Sequence, residues 1–425
     1  MHQLIIVEPG TYTLLNMGDP AMMQIALERI GELWPLAATG VVTGSPERLS
    51  RLSPHVVPLD VRERDAWLFG REPATRLLQR LPAALAGIIV NLERRAWLRL
   101  PRVNDWAVRM KARLMGRELV EPDCFRRRLQ EAGLLAVTGM GVLNDDFAGN
   151  AMRLLDEMEA ALETGIPVAA FGQGIGPMTD AALRQRARAV LPRLTLISLR
   201  EGVSGLPLLA ELGVASERIL VTGDDAIELA FRRRPPSTGE AIGINLRLAP
   251  YAGTDDGIID RLSEPLRDVA ARTRRALVPV SISLYKHESD AEVVERMLGL
   301  QSPQPSSRAE SPEDVIRSIA GCRVVVAGSY HAGVFALAMG IPVVALISSP
   351  YYEQKFKGLA AQFPGGCRLL DLRRPLGSGE VQDAILAALE SAGSIRESLL
   401  REAERQVELS REAYRAVRRL CTLES

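Results

Sequence analysis

The sequence predicts an α/β protein built from two packed domains, each with a parallel sheet, and three observations predict it. Short apolar runs end in turns rich in glycine, serine, threonine or acid and are followed by longer patterns of helical period, the rhythm of buried parallel strands and covering helices. The rhythm comes in two series on either side of RRRPPSTGE, residues 232–240, a polar segment with consecutive prolines and no apolar face. A length of 425 residues with 47% hydrophobic composition is enough to bury two such cores.

The first series places strands at Leu4–Val7, Ala38–Val42, Leu134–Thr138, Pro167–Phe171, Leu194–Ser198 and Ile219–Thr222. The second places them at Ala241–Leu246, Leu277–Ile282, Arg323–Ala327 and Pro342–Ile347. A break near Arg234 divides the chain into 1–234, 235–390 and a terminal helix over 391–425. In that helix Leu400, Ala403, Val407, Tyr414, Val417 and Cys421 fall largely on one face, which either packs across the body or binds a partner. After a solvent loop at residues 301–310, Ser311 precedes Pro312 and two acids, the signature of an N-cap with proline at the first helical position. The segment Arg71–Glu131 is basic and carries Trp97 and Trp106. Three readings of it stay open: helices packed around the first domain, an acceptor-recognition surface, or contact with a membrane surface.

Composition excludes several classes. A formal net charge of +0 lacks the broad basic bias of a nucleic-acid binder, so no nucleic-acid partner is expected. Cys124, Cys322, Cys367 and Cys421 have neither zinc-site spacing nor disulfide-scaffold density, and no other cluster of metal ligands stands out, so no metal is expected. The opening MHQLIIVEPG turns polar too soon for a signal peptide, and no apolar run is long enough for a bilayer. A soluble cytoplasmic protein is expected, with peripheral contact at the inner membrane surface left open.

The chemistry-bearing residues sit where strands should end. Asn16-Met17-Gly18-Asp19 precedes a helical pattern, and Gly18 permits close backbone approach. Asn16 and Asp19 either cap that helix or meet a hydroxylated substrate. Thr138-Gly139-Met140-Gly141 leads into Asn144-Asp145-Asp146, acids that either orient sugar hydroxyls or cap a helix. Gly172-Gln173-Gly174-Ile175-Gly176-Pro177 is a further strand-end turn that does not match the dinucleotide fingerprint. Arg200 offers a planar fork for a carboxylate or phosphate, or else an ion pair to Glu201 or Asp224. Ser329-Tyr330-His331 follows the strongest strand and opens a helix whose N-terminus suits an anion. His331 either transfers a proton or packs the junction. After the next strand, Ser348, Ser349 and Lys355 either bind a phosphate or cap the following helix.

In their order and context these motifs, from Asn16–Asp19 through Gly172–Pro177 and Ser198–Glu201 to Ser329–His331 and Lys355, resemble the polysaccharide pyruvyltransferase family. The resemblance implies an α/β fold of two Rossmann-like domains in a GT-B-like arrangement with a C-terminal helix. It implies an enzyme that transfers the pyruvyl unit of phosphoenolpyruvate to the hydroxyls of a carbohydrate acceptor, lipid-linked or free, with no further cofactor. His331 then falls at the family's histidine, with Asp19 as a second catalytic residue. Arg200, Ser329, Tyr330, Ser348 and Lys355 fall on the anionic donor; Asn16, Asn144, Asp145, Asp146 and Gln173 fall on the acceptor. The chain departs from the family at Ser329, where many members carry arginine, and Lys355 with Arg200 and Ser348 is expected to compensate. Two alternatives remain beside this reading: a GT-B-like glycosyltransferase using a nucleotide sugar, and a noncatalytic carbohydrate-binding or scaffold protein. Oligomeric state is not legible.

Overall fold

A computed structural model describes residues 4–71, 106, 110, 113, 122–247, 256–285, 289–299, 309–377 and 379–421. Trp97 and most of the basic 71–131 segment, together with residues 301–308 of the expected solvent loop, lie outside these residues. Two all-parallel sheets carry the fold, and each expected strand belongs to one of them. The first has the order β3-β2-β1-β4-β5-β6-β7, where β1 is Leu4–Glu8, β2 Ala38–Thr43, β3 Val57–Asp60, β4 Ala132–Val137, β5 Val168–Gln173, β6 Leu196–Leu199 and β7 Ile219–Val221. The second has the order β12-β11-β10-β8-β9, with β8 at Ala241–Asn245, β9 at Leu277–Pro279, β10 at Cys322–Ala327, β11 at Val343–Ile347 and β12 at Cys367–Asp371. This is a GT-B-like arrangement of two Rossmann-like units with a C-terminal helix, as the sequence predicts. Two strands, β3 and β12, were not foreseen.

Both sheets reverse strand order once, β1 against β4 in the first and β8 against β10 in the second. Loops leaving neighbouring strands in opposite directions open a crevice at such a reversal, on the carboxyl side of the strands. The two units bring these crevices together. Asn16, after β1, forms an isolated antiparallel bridge with Ser283, after β9. Beside it the Met17 N–H donates to the Ile282 carbonyl at 2.8 Å, and the Leu284 N–H to the Leu15 carbonyl at 2.9 Å.

One apolar cluster joins the halves. Met17, Ala21, Met22 and Ile25 of the Gly18–Leu33 helix and Ala226–Ala230 of the Ala226–Arg232 helix pack with the Tyr330–Ala338 helix of the second unit. The last helix, Glu380–Leu420, runs 41 residues, about 60 Å at 1.5 Å per residue. Its start packs on the second sheet through Val381, Ile385 and Leu389, its middle enters the shared cluster through Leu399, Ala403 and Val407, and its end reaches the first sheet. There the Tyr414 ring stacks on Phe171 with centroids 3.8 Å apart. At the Pro312–Ala320 helix Ser311 accepts from the Asp314 N–H and Asp314 accepts back from the Ser311 N–H, the expected cap closed into a capping box. No described helix is long and apolar enough to cross a membrane.

Candidate active site

The facing crevices form one cavity of about 520 Å³, whose walls come from loops after β1, β4, β6, β8, β9, β10 and β11. The expected residues Asn16, Asp19, Arg200, Ser329, Tyr330, His331 and Lys355 all reach it. They arrive from four separate strand ends, so the convergence depends on the parallel topology rather than on nearness in sequence.

His331 sits in the first turn of the Tyr330–Ala338 helix, directly over Gly18. A Cβ added at Gly18 would lie 1.9 Å from the ring Nδ1, so glycine is the side chain that lets the first unit approach the histidine. On the other edge Nε2 faces the Asp224 Oδ2 at 3.6 Å, too long for a hydrogen bond but close enough for strong charge coupling across a buried gap. Neither atom has a hydrogen-bond partner among the described residues. Burial alone would raise the Asp224 carboxyl, but His331 and Arg200 outweigh it and hold it below the usual carboxylate range, so Asp224 is an anion that orients the ring. Asp19 has the opposite balance. Burial pushes its carboxyl up, against the opposing pull of His331, a hydrogen bond from the Thr11 hydroxyl at 2.9 Å, and Lys355.

Three cations face the same space. The Arg200 guanidinium lies 4.3 Å over the Tyr330 ring and 3.9 Å from Asp224, and it passes so close to Gly174 that any side chain there would collide with it. The ion pair open in the sequence thus forms with Asp224, and it is buried. Lys355 contacts the Tyr351 hydroxyl and lies 3.7 Å over that ring. Burial, then the charge of Arg200, with a further contribution from Arg247, pushes its ammonium well below the ordinary lysine range. Arg247, at the end of β8, lines the cavity beside Ser329. Sequence reasoning passed over Arg247. It also treated Asp224 as no more than an ion-pair partner, although Gly223-Asp224-Asp225, with Gly223 at φ +87° after β7, carried the same strand-end signal as the other turns.

Several expected residues do other work. The Gln173 amide is fully buried and donates to the carbonyls of Thr138 at 2.6 Å and Phe171 at 2.9 Å, holding strand ends together beneath the cavity. Asn144 caps the turn at Asp145–Phe147, accepting from the Phe147 N–H and donating to the Gly141 carbonyl at 2.7 Å. Asp145 pins the following loop by accepting from the N–H groups of Thr179 and Asp180. Asp146 is exposed, and Ser348 is half-buried; neither reaches the cavity wall. Ser348 therefore does not join Lys355 in replacing the missing arginine. Ser349, not Ser348, caps the Pro350–Gln362 helix, accepting from the Tyr352 N–H. Among the described residues no group of His, Cys, Asp and Glu is placed to hold a metal ion.

No curated protein matches the sequence. Among solved structures, UDP-GlcNAc 2-epimerase from Neisseria meningitidis bound to UDP-GlcNAc is similar with a TM-score of 0.55 at 12% identity, covering 98% of this chain and 99% of that one. The S. aureus MnaA–UDP co-structure is similar with a TM-score of 0.50 at 14% identity, covering 96% of this chain and 94% of that one. The likeness extends through both units and corrects the donor expected above. Both of these structures are titled for UDP or UDP-GlcNAc rather than for phosphoenolpyruvate, so phosphoenolpyruvate as donor and pyruvyl transfer as reaction are not carried forward. The model of the family described as polysaccharide pyruvyl transferase matches residues 71–350, more than half of the chain, and the chain belongs to that family.

Proposed function

We propose that this protein is a glycosyltransferase that takes its sugar from a nucleotide sugar and passes it to a carbohydrate hydroxyl. The observation that carries this reading is the convergence of Arg200, Arg247 and Lys355 with His331 and Asp19 in a cavity of about 520 Å³, between facing sheet reversals. That volume falls within the roughly 300–1,000 Å³ of small-molecule sites and accommodates a ligand with a diphosphate at its centre. Cations facing one another in a buried space repel, and an anion spread over several oxygens relieves that repulsion.

In this reaction the bond from the sugar C1 to the β-phosphate oxygen breaks, its electrons leaving with the nucleoside diphosphate, and the acceptor oxygen bonds to C1. The acceptor's proton passes to Asp19, whose carboxyl is already shifted upward by burial and so suits a base. The cations stabilise the charge that develops on the departing diphosphate, and His331, oriented by Asp224, hydrogen-bonds to it. Glycines at positions 18, 141 and 174 let backbone and cationic side chains approach this closely.

The test is to incubate purified protein with a panel of nucleotide sugars, UDP-GlcNAc included, and carbohydrate acceptors, reading nucleoside diphosphate release and product mass. Release that depends on acceptor, with a product heavier by one sugar, is expected. An epimerised nucleotide sugar without transfer would keep the donor and overturn the transfer. Phosphate release from phosphoenolpyruvate with no nucleotide sugar consumed would overturn both.

A further inference from the structure

We infer that Arg247 is a direct ligand of the donor's phosphate groups and that Ser329 is its positioning residue rather than a ligand itself. This deepens the proposed function by naming the residue that binds the charged part of the donor on the wall formed by the second unit.

Arg247 is 3% exposed and its buried guanidinium is anchored by Asp290. Nε donates to the Asp290 Oδ1 at 2.7 Å and one terminal nitrogen to Oδ2 at 3.2 Å. Asp290 is itself fixed. It accepts from the Asn245 amide at 2.7 Å and from the N–H groups of Ile282 and Ser283 at 2.9 and 3.0 Å. The arginine therefore has little rotamer freedom left to lose when a ligand arrives.

Ser329 closes the arrangement. Its N–H and hydroxyl both donate to the Asn245 Oδ1, at 2.7 and 2.6 Å, and its Oγ lies 3.5 Å from the same terminal nitrogen of Arg247. A serine whose hydroxyl is committed in this way is a poor phosphate donor, yet it fixes the spacing between the end of β10 and the end of β8. Arg247 thereby brings to the cavity wall, from just after β8, the guanidinium charge that Ser329 does not offer at the head of the Tyr330–Ala338 helix. A buried ion pair contributes little net stability over apolar residues of the same shape. Holding a third cation in a cavity that already contains Arg200 and Lys355 adds repulsion, which binding of a polyanion reverses.

Binding is measured by calorimetry with UDP, uridine and inorganic pyrophosphate. The variants are R247A/D290N, which removes the cation without leaving a buried carboxylate unpaired, then R247K, and S329A. Folding is checked by circular dichroism. R247A/D290N is expected to bind UDP and pyrophosphate about ten- to a hundredfold more weakly, with uridine changed less than about threefold. A merely structural role would weaken all three ligands together. S329A, which keeps the cation but loosens its anchor, is expected to lose about three- to tenfold on UDP. If R247A/D290N does not fold, R247K, which keeps the charge but loses the fork, carries the test with an expected loss of about tenfold on UDP. Unchanged UDP affinity in a folded Arg247 variant would overturn the inference while leaving the proposed donor standing. Binding of pyrophosphate but no nucleotide, lost on changing Arg247, would overturn the donor and keep the inference. No binding of any anion by the native protein would overturn both.

Discussion

At the scale of single residues, the site combines a carboxyl raised by burial with a cation lowered by it, and each shift makes a prediction. Asp19 is offered as the base, so D19N is expected to lower kcat by about 10²- to 10⁴-fold while the Kd for UDP stays within about threefold, measured by turnover and calorimetry. A comparable loss of UDP affinity would show that Asp19 shapes the site rather than serving the reaction. Lys355 is buried and held below its ordinary range, so the unfolded chain binds its proton more tightly than the folded one. Stability contributed by this position is then full above 10.5, the ordinary value, and is lost as pH falls toward the lowered folded value. K355M removes a buried cation that has a tyrosine contact but, among the described residues, no ion pair, and is expected to raise the melting temperature most at neutral pH, while weakening UDP binding at least tenfold. Lower stability for K355M across the pH range would mean that the lysine is held by attractions stronger than its desolvation. The residues that sequence reasoning could see were those standing at strand ends: Asp19, Arg200, His331 and Lys355. Gln173 and Asn144 stood in the same kind of turn, and only packing reveals that their amides bind backbone instead. Arg247 was hidden because its meaning depends on Asp290, 43 residues later, which the topology brings beneath it.

At the scale of elements, the central strands were all legible, and of the four edge strands β7 and β9 were legible while β3 and β12 were not. The fully buried VAAFGQ of β5 is apolar along its length, as a strand covered on both faces must be. The missed β3, VPLD, and β12, CRLLD, each stand at one edge of their sheet and are partly exposed, and β3 carries a proline that only an edge tolerates. The Glu380–Leu420 helix announced its apolar face, but not the polar knot beneath its far end. There Arg29 donates to Asp225 at 2.9 Å and pairs with Glu228, while Asp225 also accepts from the Tyr414 hydroxyl at 2.7 Å and from Ser410. Although burial would raise Glu228, Arg29 and its other arginine partners hold it at about 2. R29M leaves both carboxylates without their main buried partner and is expected to cost about 3–5 kcal/mol in urea denaturation at pH 7. Because Glu228 is depressed, the native stability it contributes is present above its ordinary 4.5 and is lost as pH falls toward 2. R29M should flatten that acid limb. A change below 1 kcal/mol would mean that Arg232 and Arg411, which also contact Glu228, suffice to hold it.

For the whole molecule, the cavity, the shared apolar cluster and the terminal helix all span the two sheets, so neither unit keeps its core intact without the other. Met17 and Met22 pack with Phe335 and Leu337, and Leu399, Ala403 and Val407 of the last helix enter the same cluster. Backbone hydrogen bonds at Met17 and Leu284 tie the two units at one edge of the cavity. Unfolding one unit would expose this cluster and break those bonds, which makes separate melting costly. Calorimetry is therefore expected to show one cooperative transition, despite a length that normally supports two. A ligand bound between the units stabilises this single transition as a whole. At a hundred times its Kd, UDP adds about 2.7 kcal/mol. With an unfolding entropy near 2.1 cal/mol/K per residue over 425 residues, that moves the midpoint by about 3 °C. Two transitions, with UDP shifting only the one assigned to residues 235–390, would place the nucleotide on one unit alone and leave Arg200, which comes from the other, without a part in binding it.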